Sequence, residues 1–441
     1  MKKLKFFYLL VMILLGASCT KDQWFDSPDH RPGNSSPYNL ICPQIKIAIV
    51  SDLHYMDPSI APDDPENNQY WQEYVSHDRK IFELSDPIFR KVVFDLMIEK
   101  PDILLITGDL AKEGELLCHE TVKGFLQKLE KKGIKVFIVP GNNDINNPDA
   151  KTYKTDPPSG IPNVSEAVFK TIYHDFGYDK VLYRDENSLS YISQPFRGLW
   201  ILGIDGVNRS TSPASGAINP LTLAWIQEKM AEANANNIKV LSMMHYGIIE
   251  HYAGQKGLEP LISKSKDNAI ALMNTGVRLI FTGHYHANDI VEFTNEGKTL
   301  TDIQTGSLVT PPYSYRIMTL DDNFIRIDTK RVTDVKSRIP GNMSFLKYSD
   351  VTITNRINSF FMYYGFFLQK VFGIPADQYP TAVPFFTKAY KAYFAGDERV
   401  DQVEREKIEV LGQSVPSALP FLNSLWTDLP PQDNRIHIKL K

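Results

Sequence analysis

The sequence predicts a protein of the α/β class over most of its 441 residues. Between about residues 44 and 330, short runs of β-branched and aliphatic residues alternate with longer amphipathic segments. Short hydrophobic runs of this kind are typical of strands buried on both faces. Because strands and helices alternate along the chain, the pattern favours parallel strands covered by helices.

The strand predictions rest on hydrophobic runs at 46–50, 103–107, 136–140, 199–204, 240–244 and 278–282. Helices are predicted between them. The segment 86–99 carries its apolar residues on one stripe, and 220–235 begins with Pro220, which the first turn of a helix tolerates. After residue 286 the pattern changes to short strands with turns, which predicts an antiparallel extension of a sheet at 290–293, 299–304, 315–320 and 324–328.

The last hundred residues have a different pattern. The stretch 357–369 is uncharged and rich in aromatic residues. Because it lacks a basic face, we expect it to pack against the main domain rather than against a membrane surface. The segment 397–411 is predicted to form a capped helix that ends at Gly412. We therefore expect a main domain over 44–335 and a small, mainly helical, aromatic-rich subdomain over 336–441.

The N-terminus resembles a bacterial lipoprotein signal. Three lysines precede an uncharged run over 6–15, and small residues lead to Cys19. The run is too short to span a bilayer core of about 30 Å. We expect 1–19 to be the signal and Cys19 to be lipidated, so that the exported protein is anchored to a membrane and faces the periplasm or the cell surface. Residues 20–43 are rich in turn formers and are predicted to be a flexible tether. The alternative is a cleaved signal peptide with an incidental cysteine.

The composition excludes several classes of protein. The chain has 48 Lys+Arg and 52 Asp+Glu, which gives a net charge of −4 and a pI near 6.2. No bulk binding of nucleic acid is expected from this charge. The three cysteines, Cys19, Cys42 and Cys118, have no CxxC spacing. They therefore predict neither a disulfide scaffold nor a cysteine-rich zinc site.

Five of the predicted strands run directly into side chains that commonly bind metals. Because parallel strands present their C-terminal ends at one edge of a sheet, these side chains are expected to converge on one crevice. Gly108, Gly141 and Gly283 allow tight turns at the strand ends. Carboxylate, amide and imidazole groups suit Zn, Mn, Fe and similar divalent ions. The candidate ligands are Asp52, His54, Asp109, Asn142, His245, His284 and His286.

In order and roughly in spacing, these residues resemble the D-x-H, G-D, G-N-H-D/E, H and G-H-x-H motifs of calcineurin-like metallophosphoesterases. The resemblance covers about residues 44–330. It implies a four-layer α/β/β/α sandwich that holds two divalent metal ions. The ligands that it implies are Asp52, His54, Asp109 and His286 for the first ion, and Asp109, Asn142, His245 and His284 for the second, with Asp109 bridging.

The charges of such a site are consistent with a two-metal centre that binds a phosphate ester. Two divalent ions carry +4 against −2 from Asp52 and Asp109, which leaves about +2 to attract a phosphate ester. The predicted reaction is hydrolysis of that ester by in-line attack of a metal-bridging hydroxide. The expected substrate is a phosphorylated small molecule or a lipid head group.

One position departs from the family pattern. The histidine that usually follows the asparagine, and is often assigned as proton donor, is Asn143 here. An amide can donate a hydrogen bond to the phosphoryl group but cannot deliver a proton. Either His251, in a loop expected to overhang the crevice, supplies the acid, or the enzyme acts on phosphodiester or pyrophosphate-type bonds whose leaving groups need none.

The departure at Asn143 also supports an alternative function. A lipoprotein that binds metals but has weakened catalysis would serve as a binding or interaction module. The seven presumptive ligands are all present, which weighs against this alternative. His77 and His119 are expected to be solvated surface residues.

Overall fold

Two facing β-sheets form the framework of the protein, and helices cover the outer side of each sheet. The computed structural model describes residues 44–439 except 180, 212–213, 256–258, 260 and 397. Its strands are β1 (Ile45–Val50), β2 (Ile103–Ile106), β3 (Lys135–Ile138), β4 (Lys151–Thr152), β5 (Ser159–Gly160), β6 (Tyr183–Arg184), β7 (Tyr191–Phe196), β8 (Leu199–Gly203), β9 (Val207–Asn208), β10 (Ser215–Gly216), β11 (Lys239–Met243), β12 (Leu279–Thr282), β13 (Ile290–Asn295), β14 (Lys298–Gln304), β15 (Ser314–Leu320), β16 (Phe324–Arg331) and β17 (Arg435–Lys439). Its α-helices are α1 (Gln69–Ser76), α2 (Ser85–Glu99), α3 (Leu116–Glu130), α4 (Glu166–Ile172), α5 (Pro220–Ala235), α6 (Ser265–Thr275), α7 (Phe345–Tyr363), α8 (Gly365–Phe372), α9 (Tyr379–Ala395), α10 (Gln402–Ser414) and α11 (Leu419–Leu425).

The first sheet has the strand order β17-β16-β15-β1-β2-β3. β1, β2 and β3 are parallel, with Ile47 opposite Ile103 and Leu104 opposite Val136. β15, β16 and β17 extend the sheet in antiparallel fashion from β1. The parallel strands are buried on both faces, which explains their continuous hydrophobic runs.

The second sheet has the order β13-β14-β12-β11-β8-β7-β6. Its centre is parallel over β14, β12, β11 and β8. The Tyr191 hydroxyl on β7 donates a hydrogen bond to the carbonyl of Ile138 on β3, at 2.8 Å, which ties the two sheets together.

Helices form the two outer layers. Phe89 of α2 and Phe125 of α3 pack around Tyr55, just beyond β1, with ring centroids 5.9 and 6.0 Å from the tyrosine ring. Ile226 of α5 and Leu272 of α6 pack in the core against the second sheet. The layers therefore follow the order α/β/β/α, as the family resemblance implies.

The strand predictions agree with the structure at the centre of each sheet and differ at its margins. The strand predicted at 299–304 as an antiparallel extension pairs parallel with β12, with Leu279 opposite Thr301, and antiparallel only with β13. The segment 336–441 is mainly helical, but its end forms β17 and pairs with β16. Gly412 does not end a helix, because α10 runs from Gln402 to Ser414.

The aromatic stretch of the C-terminal part has one buried side and one exposed side. Phe361 is buried and its ring lies 5.6 Å from that of Phe386 in α9. Tyr363 and Phe366 are 63% and 67% exposed. The expectation of core packing therefore holds for one side of this stretch only.

The predicted signal over 1–19, with Cys19, and the predicted tether over 20–43 lie outside the described residues. In the part of the chain that the structure describes, no helix combines the length and hydropathy needed to cross a membrane.

Candidate metal centre

The seven candidate ligands come together where the strands of both sheets end. Asp52 and His54 follow β1, Asp109 follows β2, and Asn142 follows β3. The ligands of the second sheet follow β11 and β12. The two groups are joined directly, because the His284 amide donates to Asp52 Oδ2 at 3.0 Å and His245 Nδ1 lies 2.8 Å from the Thr107 carbonyl.

The backbone at these ligands is unusual. Positive φ angles occur at five of the candidate ligands: Asp52 (49°), His54 (36°), Asp109 (51°), His284 (76°) and His286 (65°). Residues other than glycine rarely adopt this conformation, which costs about 1–3 kcal/mol each and concentrates at functional sites. The sharp turns direct the side chains into the space between the sheet ends.

Gly108 makes one of these turns possible. Its φ is +99°, and a Cβ placed on it would lie 2.7 Å from His245 Nδ1. A side chain here would therefore displace a candidate ligand as well as strain the backbone. This explains the glycine that the sequence places before Asp109.

The first half-site contains Asp52, His54 and His286, which lie close enough together to hold one ion. The Nε2 atoms of His54 and His286 are 3.2 Å apart. His54 Nδ1 faces the Lys112 carbonyl at 3.4 Å, so the ring proton belongs on Nδ1 and a lone pair on Nε2. Asp52 Oδ1 is buried, has no hydrogen-bond partner and lies 3.6 Å from His286 Nε2.

A threonine fixes the second imidazole of this half-site. The Thr310 hydroxyl donates to the Arg79 carbonyl at 3.3 Å and therefore accepts from His286 Nδ1, which lies 2.8 Å away. His286 then also presents a lone pair at Nε2. The lone pairs of His54 Nε2 and His286 Nε2 therefore face each other and the unpartnered Asp52 Oδ1. These atoms are all acceptors, so a bound cation can satisfy them, whereas hydrogen bonds among them cannot form.

The second half-site is built around His245. Its Nδ1–H donates to the Thr107 carbonyl, so Nε2 is the nitrogen that can bind a metal ion after it loses its proton. Around that nitrogen lie Asn142 Oδ1 at 3.0 Å and His284 Nδ1 at 3.2 Å. Asp109 Oδ2 lies 3.5 Å away. These four side chains converge on one space.

Asp109 lies between the two half-sites. Its Oδ2 is 3.5 Å from His54 Nε2 and 3.5 Å from His245 Nε2. The Asn143 backbone N–H donates to Oδ1 at 2.9 Å, and the Asn143 side-chain amide donates to Oδ2 at 2.7 Å. Asn143 therefore orients the carboxylate that the two half-sites share, and its amide keeps one proton for another acceptor.

Burial controls the protonation of the site. It raises the pKa of Asp52 to about 6. Burial and the charge of Lys80 lower the pKa of His54 to about 3. Burial also lowers the pKa of His284 and of His286 well below the usual value. The imidazoles of His54, His284 and His286 are therefore neutral, which is the form that binds metal ions. Burial opposes the charged form of His245, but Asp109 raises its pKa to about 9, so this imidazole must lose a proton before it can bind a metal ion.

Asp144 and His119 form hydrogen bonds around the backbone that carries the candidate ligands. The sequence does not predict this role for His119. Asp144 accepts hydrogen bonds from the backbone N–H groups of Gly141 at 2.7 Å and Leu110 at 2.8 Å. His119 is buried rather than solvated, with Nε2 3.0 Å from the Asp144 carbonyl and Nδ1 2.8 Å from the Tyr173 hydroxyl. His119 lies three residues before the buried Val122, so the two side chains share one face of helix α3. This spacing is the sequence signal that indicates burial of His119.

His251 does not overhang the crevice. It is 1% exposed, and its nitrogens lie 3.2 Å from Asp289 Oδ1 and 3.5 Å from Asp302 Oδ2. Burial opposes its charged form, but Asp289 and Asp302 raise its pKa to about 10. The expectation that His251 faces substrate is therefore corrected: the imidazole is a buried cation between two acids that are distant from it in sequence.

The fold and the paired donor sets define the class of dinuclear metallohydrolases. The family model described as calcineurin-like phosphoesterase matches residues 45–288, more than half of the chain. The chain belongs to this family. It is a metal-dependent phosphoric ester hydrolase, and its family uses two divalent metal ions.

Solved structures show similarities of low identity. A dimetal phosphatase from Danio rerio is 12% identical, with a TM-score of 0.45 over 65% of this chain and 96% of that chain. A purple acid phosphatase from seeds of yellow lupin (Lupinus luteus) is 11% identical, with a TM-score of 0.42 over 69% of this chain and 53% of that chain. No curated protein matches this chain at a significant level.

Proposed function

We propose that this protein is an exported phosphoesterase that holds its two metal ions through the seven converging side chains. The first ion takes Asp52, His54, His286 and Asp109 as ligands. The second takes Asp109, Asn142, His245 and His284.

The position of Asp109 carries this proposal. A single oxygen, Oδ2, is equidistant from imidazole nitrogens of both half-sites. Each of those imidazoles has its Nδ1 turned to a backbone carbonyl, so that Nε2 faces Asp109. Asp109 would therefore hold both ions through this oxygen, once the proton that it stabilises on His245 is lost.

When bound, two divalent ions polarise the phosphoryl group, stabilise its developing charge and lower the pKa of a water molecule that attacks in line. The residues of this chain orient the metal ligands and bind the substrate. Asn143 keeps the Asp109 carboxylate in place with two hydrogen bonds and offers its remaining amide proton to a phosphoryl oxygen. Thr310 and Thr107 hold His286 and His245 in the tautomers that the site requires.

The proposed substrate follows from the two residues considered as proton donors, neither of which is placed to serve as one in the described part of the chain. Asn143 cannot give a proton to a leaving group, and His251 is paired elsewhere. A proton donor is worth about 10²- to 10⁴-fold for a poor leaving group. We therefore infer that the enzyme favours phosphodiesters or pyrophosphate-type bonds, in a phosphorylated small molecule or a lipid head group, whose leaving groups are stable without protonation.

The test compares two aryl phosphates on the purified, metal-loaded chain. We expect a higher kcat/KM on bis-(p-nitrophenyl) phosphate than on p-nitrophenyl phosphate. Asn143→His should gain activity on alkyl esters with a pH dependence near the pKa of histidine, and Asn143→Ala, the matched control, should not. A preference of the unaltered enzyme for the monoester would contradict the diester proposal. Bound metal without turnover would instead support the binding-module alternative.

We also propose that the protein is a lipoprotein anchored to a membrane through Cys19. The support is the sequence pattern of 1–19, since a lipid on the mature N-terminus anchors a protein without a membrane-spanning helix. Fractionation of cells that express the Cys19→Ser variant tests this proposal.

A further inference from the structure

A short segment next to the first half-site, residues 77–83, connects α1 to α2. The Ile81 amide donates to the Val309 carbonyl at 2.7 Å, and the Arg79 carbonyl accepts from Thr310 at 3.3 Å. Thr310 is also the partner of His286 Nδ1. The main chain of the 77–83 segment is therefore fixed to the group that orients a candidate metal ligand.

The Lys80 ammonium and the His54 imidazole both lie against the ring of Phe82. The Lys80 Nζ is 5.2 Å from the centre of the Phe82 ring. That ring stands edge-on to the His54 imidazole, with 6.3 Å between centroids. The Lys80 side chain is 15% exposed. The Lys80 side chain is therefore mostly buried, and one aromatic ring links it to the first half-site.

Lys80 is a cation in this position. Burial opposes the charged form of Lys80 itself, but Asp78, Glu113 and Asp109 raise its pKa. Lys80 therefore remains an ammonium at neutral pH.

Two other cations lie nearby, but both are more tightly paired. Arg79 is 2.7 Å from Glu259, and Lys112 is fully buried at 2.9 Å from Glu115. Lys80 has only a looser contact, 3.4 Å, with Asp78. Of these three cations, Lys80 has the longest contact with its acidic partner.

The helical C-terminal part holds the 77–83 segment from the other side. Arg356 of α7 donates to the Lys80 carbonyl at 2.5 Å and to Glu83 Oε1 at 2.8 Å. The ring of Tyr363 lies 4.2 Å from that of His77. Because Arg356 binds the Lys80 carbonyl and the Glu83 carboxylate, helix α7 holds the backbone from which the Lys80 side chain extends.

We propose that Lys80 binds a phosphoryl oxygen of the substrate at the first half-site, and that Arg356 of the C-terminal part positions Lys80 for this contact. The proposal rests on the phosphoesterase function given above and adds a residue outside the metal-binding motifs. The ammonium supplies three N–H donors and a positive charge where Asn143 supplies only a neutral amide. The ligand is the phosphoryl dianion or monoanion common to the candidate substrates.

The test uses Lys80→Met, which removes the charge and keeps most of the length, and Lys80→Arg, which restores the charge. Lys229→Met is the matched control: Lys229 is 16% exposed, 2.7 Å from Glu228 and 4.5 Å from the Tyr183 ring, on α5. For each variant we measure bound metal, the melting temperature, kcat and KM on bis-(p-nitrophenyl) phosphate, and calorimetric binding of inorganic phosphate to the metal-loaded protein.

Lys80→Met should lower kcat/KM and weaken phosphate binding by about 10- to 100-fold, as expected for a charge-assisted hydrogen bond. Its metal content should not change. Lys80→Arg should recover part of the loss, and Lys229→Met should stay within about twofold of the unaltered enzyme.

The outcomes separate this proposal from the proposed function. If the unaltered enzyme hydrolyses the diester and Lys80→Met does so equally well, the role of Lys80 is wrong and the function stands. If the unaltered protein binds phosphate without turnover and Lys80→Met loses that binding, the function is wrong and the phosphate contact stands. If the unaltered protein neither binds phosphate nor turns over the diester, both are wrong.

Discussion

Replacing His251 with glutamine tests whether this residue is a buried cation or a catalytic acid. His251 lies between Asp289, at 3.2 Å, and Asp302, at 3.5 Å. Glutamine keeps a hydrogen-bond donor near these acids but removes the positive charge. We expect the two buried carboxylates to lose their shared counter-charge.

The expected cost is about 3 kcal/mol in the free energy of unfolding. Removing one partner of a buried ion pair usually costs about 3–5 kcal/mol. The lower end applies because Asp302 keeps its bonds from the Ile248 N–H at 2.9 Å and the Thr282 hydroxyl at 2.6 Å. His174, which is 55% exposed between Asp175 and Asp179, is the matched control. His174→Gln should cost less than about 1 kcal/mol.

The pH dependence has a definite sign. The pKa of His251 is raised from 6.5 to about 10 in the folded protein. Its stabilising contribution is therefore fully present below pH 6.5 and is lost as the pH rises toward 10. The difference between the unaltered protein and His251→Gln should be largest near pH 6 and should shrink toward pH 10.

Urea unfolding at several pH values, with fixed metal concentration, measures this difference. Rates on p-nitrophenyl phosphate are measured on the same samples. If His251→Gln leaves stability unchanged but lowers kcat selectively on monoesters, then the residue acts on substrate and the reasoning from its burial is wrong.

Three further predictions address other parts of the chain. Gly108→Ala should lower both stability and metal content, because its φ of +99° and the approach to His245 Nδ1 leave no room for a Cβ; metal analysis and a melting curve check this. Arg356→Ala should raise KM on bis-(p-nitrophenyl) phosphate while bound metal stays constant, since it frees the Lys80 carbonyl; steady-state kinetics decide. Cys19→Ser should move the protein from the membrane to the soluble fraction or leave an unprocessed precursor, and immunoblots of cell fractions distinguish these outcomes from an unchanged anchor.

The centre of the fold could be predicted because its strands carry their signal locally. The run at 103–107 is hydrophobic throughout since β2 is covered on both faces. The pairing partner of each strand is harder to predict from the sequence. β17 lies about a hundred residues beyond β16, and its pairing depends on tertiary contacts that no local pattern encodes.

The site shows the same division. Candidate ligands at strand ends could be identified from motif order, and the structure brings all seven together. His251 was misplaced because Asp289 and Asp302, which determine its surroundings, are 38 and 51 residues away in the sequence. The sequence does not single out Lys80, because its segment carries no motif. Its position depends on contacts of that segment with Thr310 and Arg356, which are distant in the sequence.

The most direct test of the metal centre is the metal content and turnover of Asp109→Asn. Asp109 Oδ2 faces both half-sites at 3.5 Å, so we expect about two divalent ions in the unaltered protein and loss of at least one in the variant. Turnover of bis-(p-nitrophenyl) phosphate should fall by about two orders of magnitude or more, while the melting curve remains cooperative. Two bound ions and near-normal turnover in Asp109→Asn would contradict the bridging role and, with it, the proposed centre.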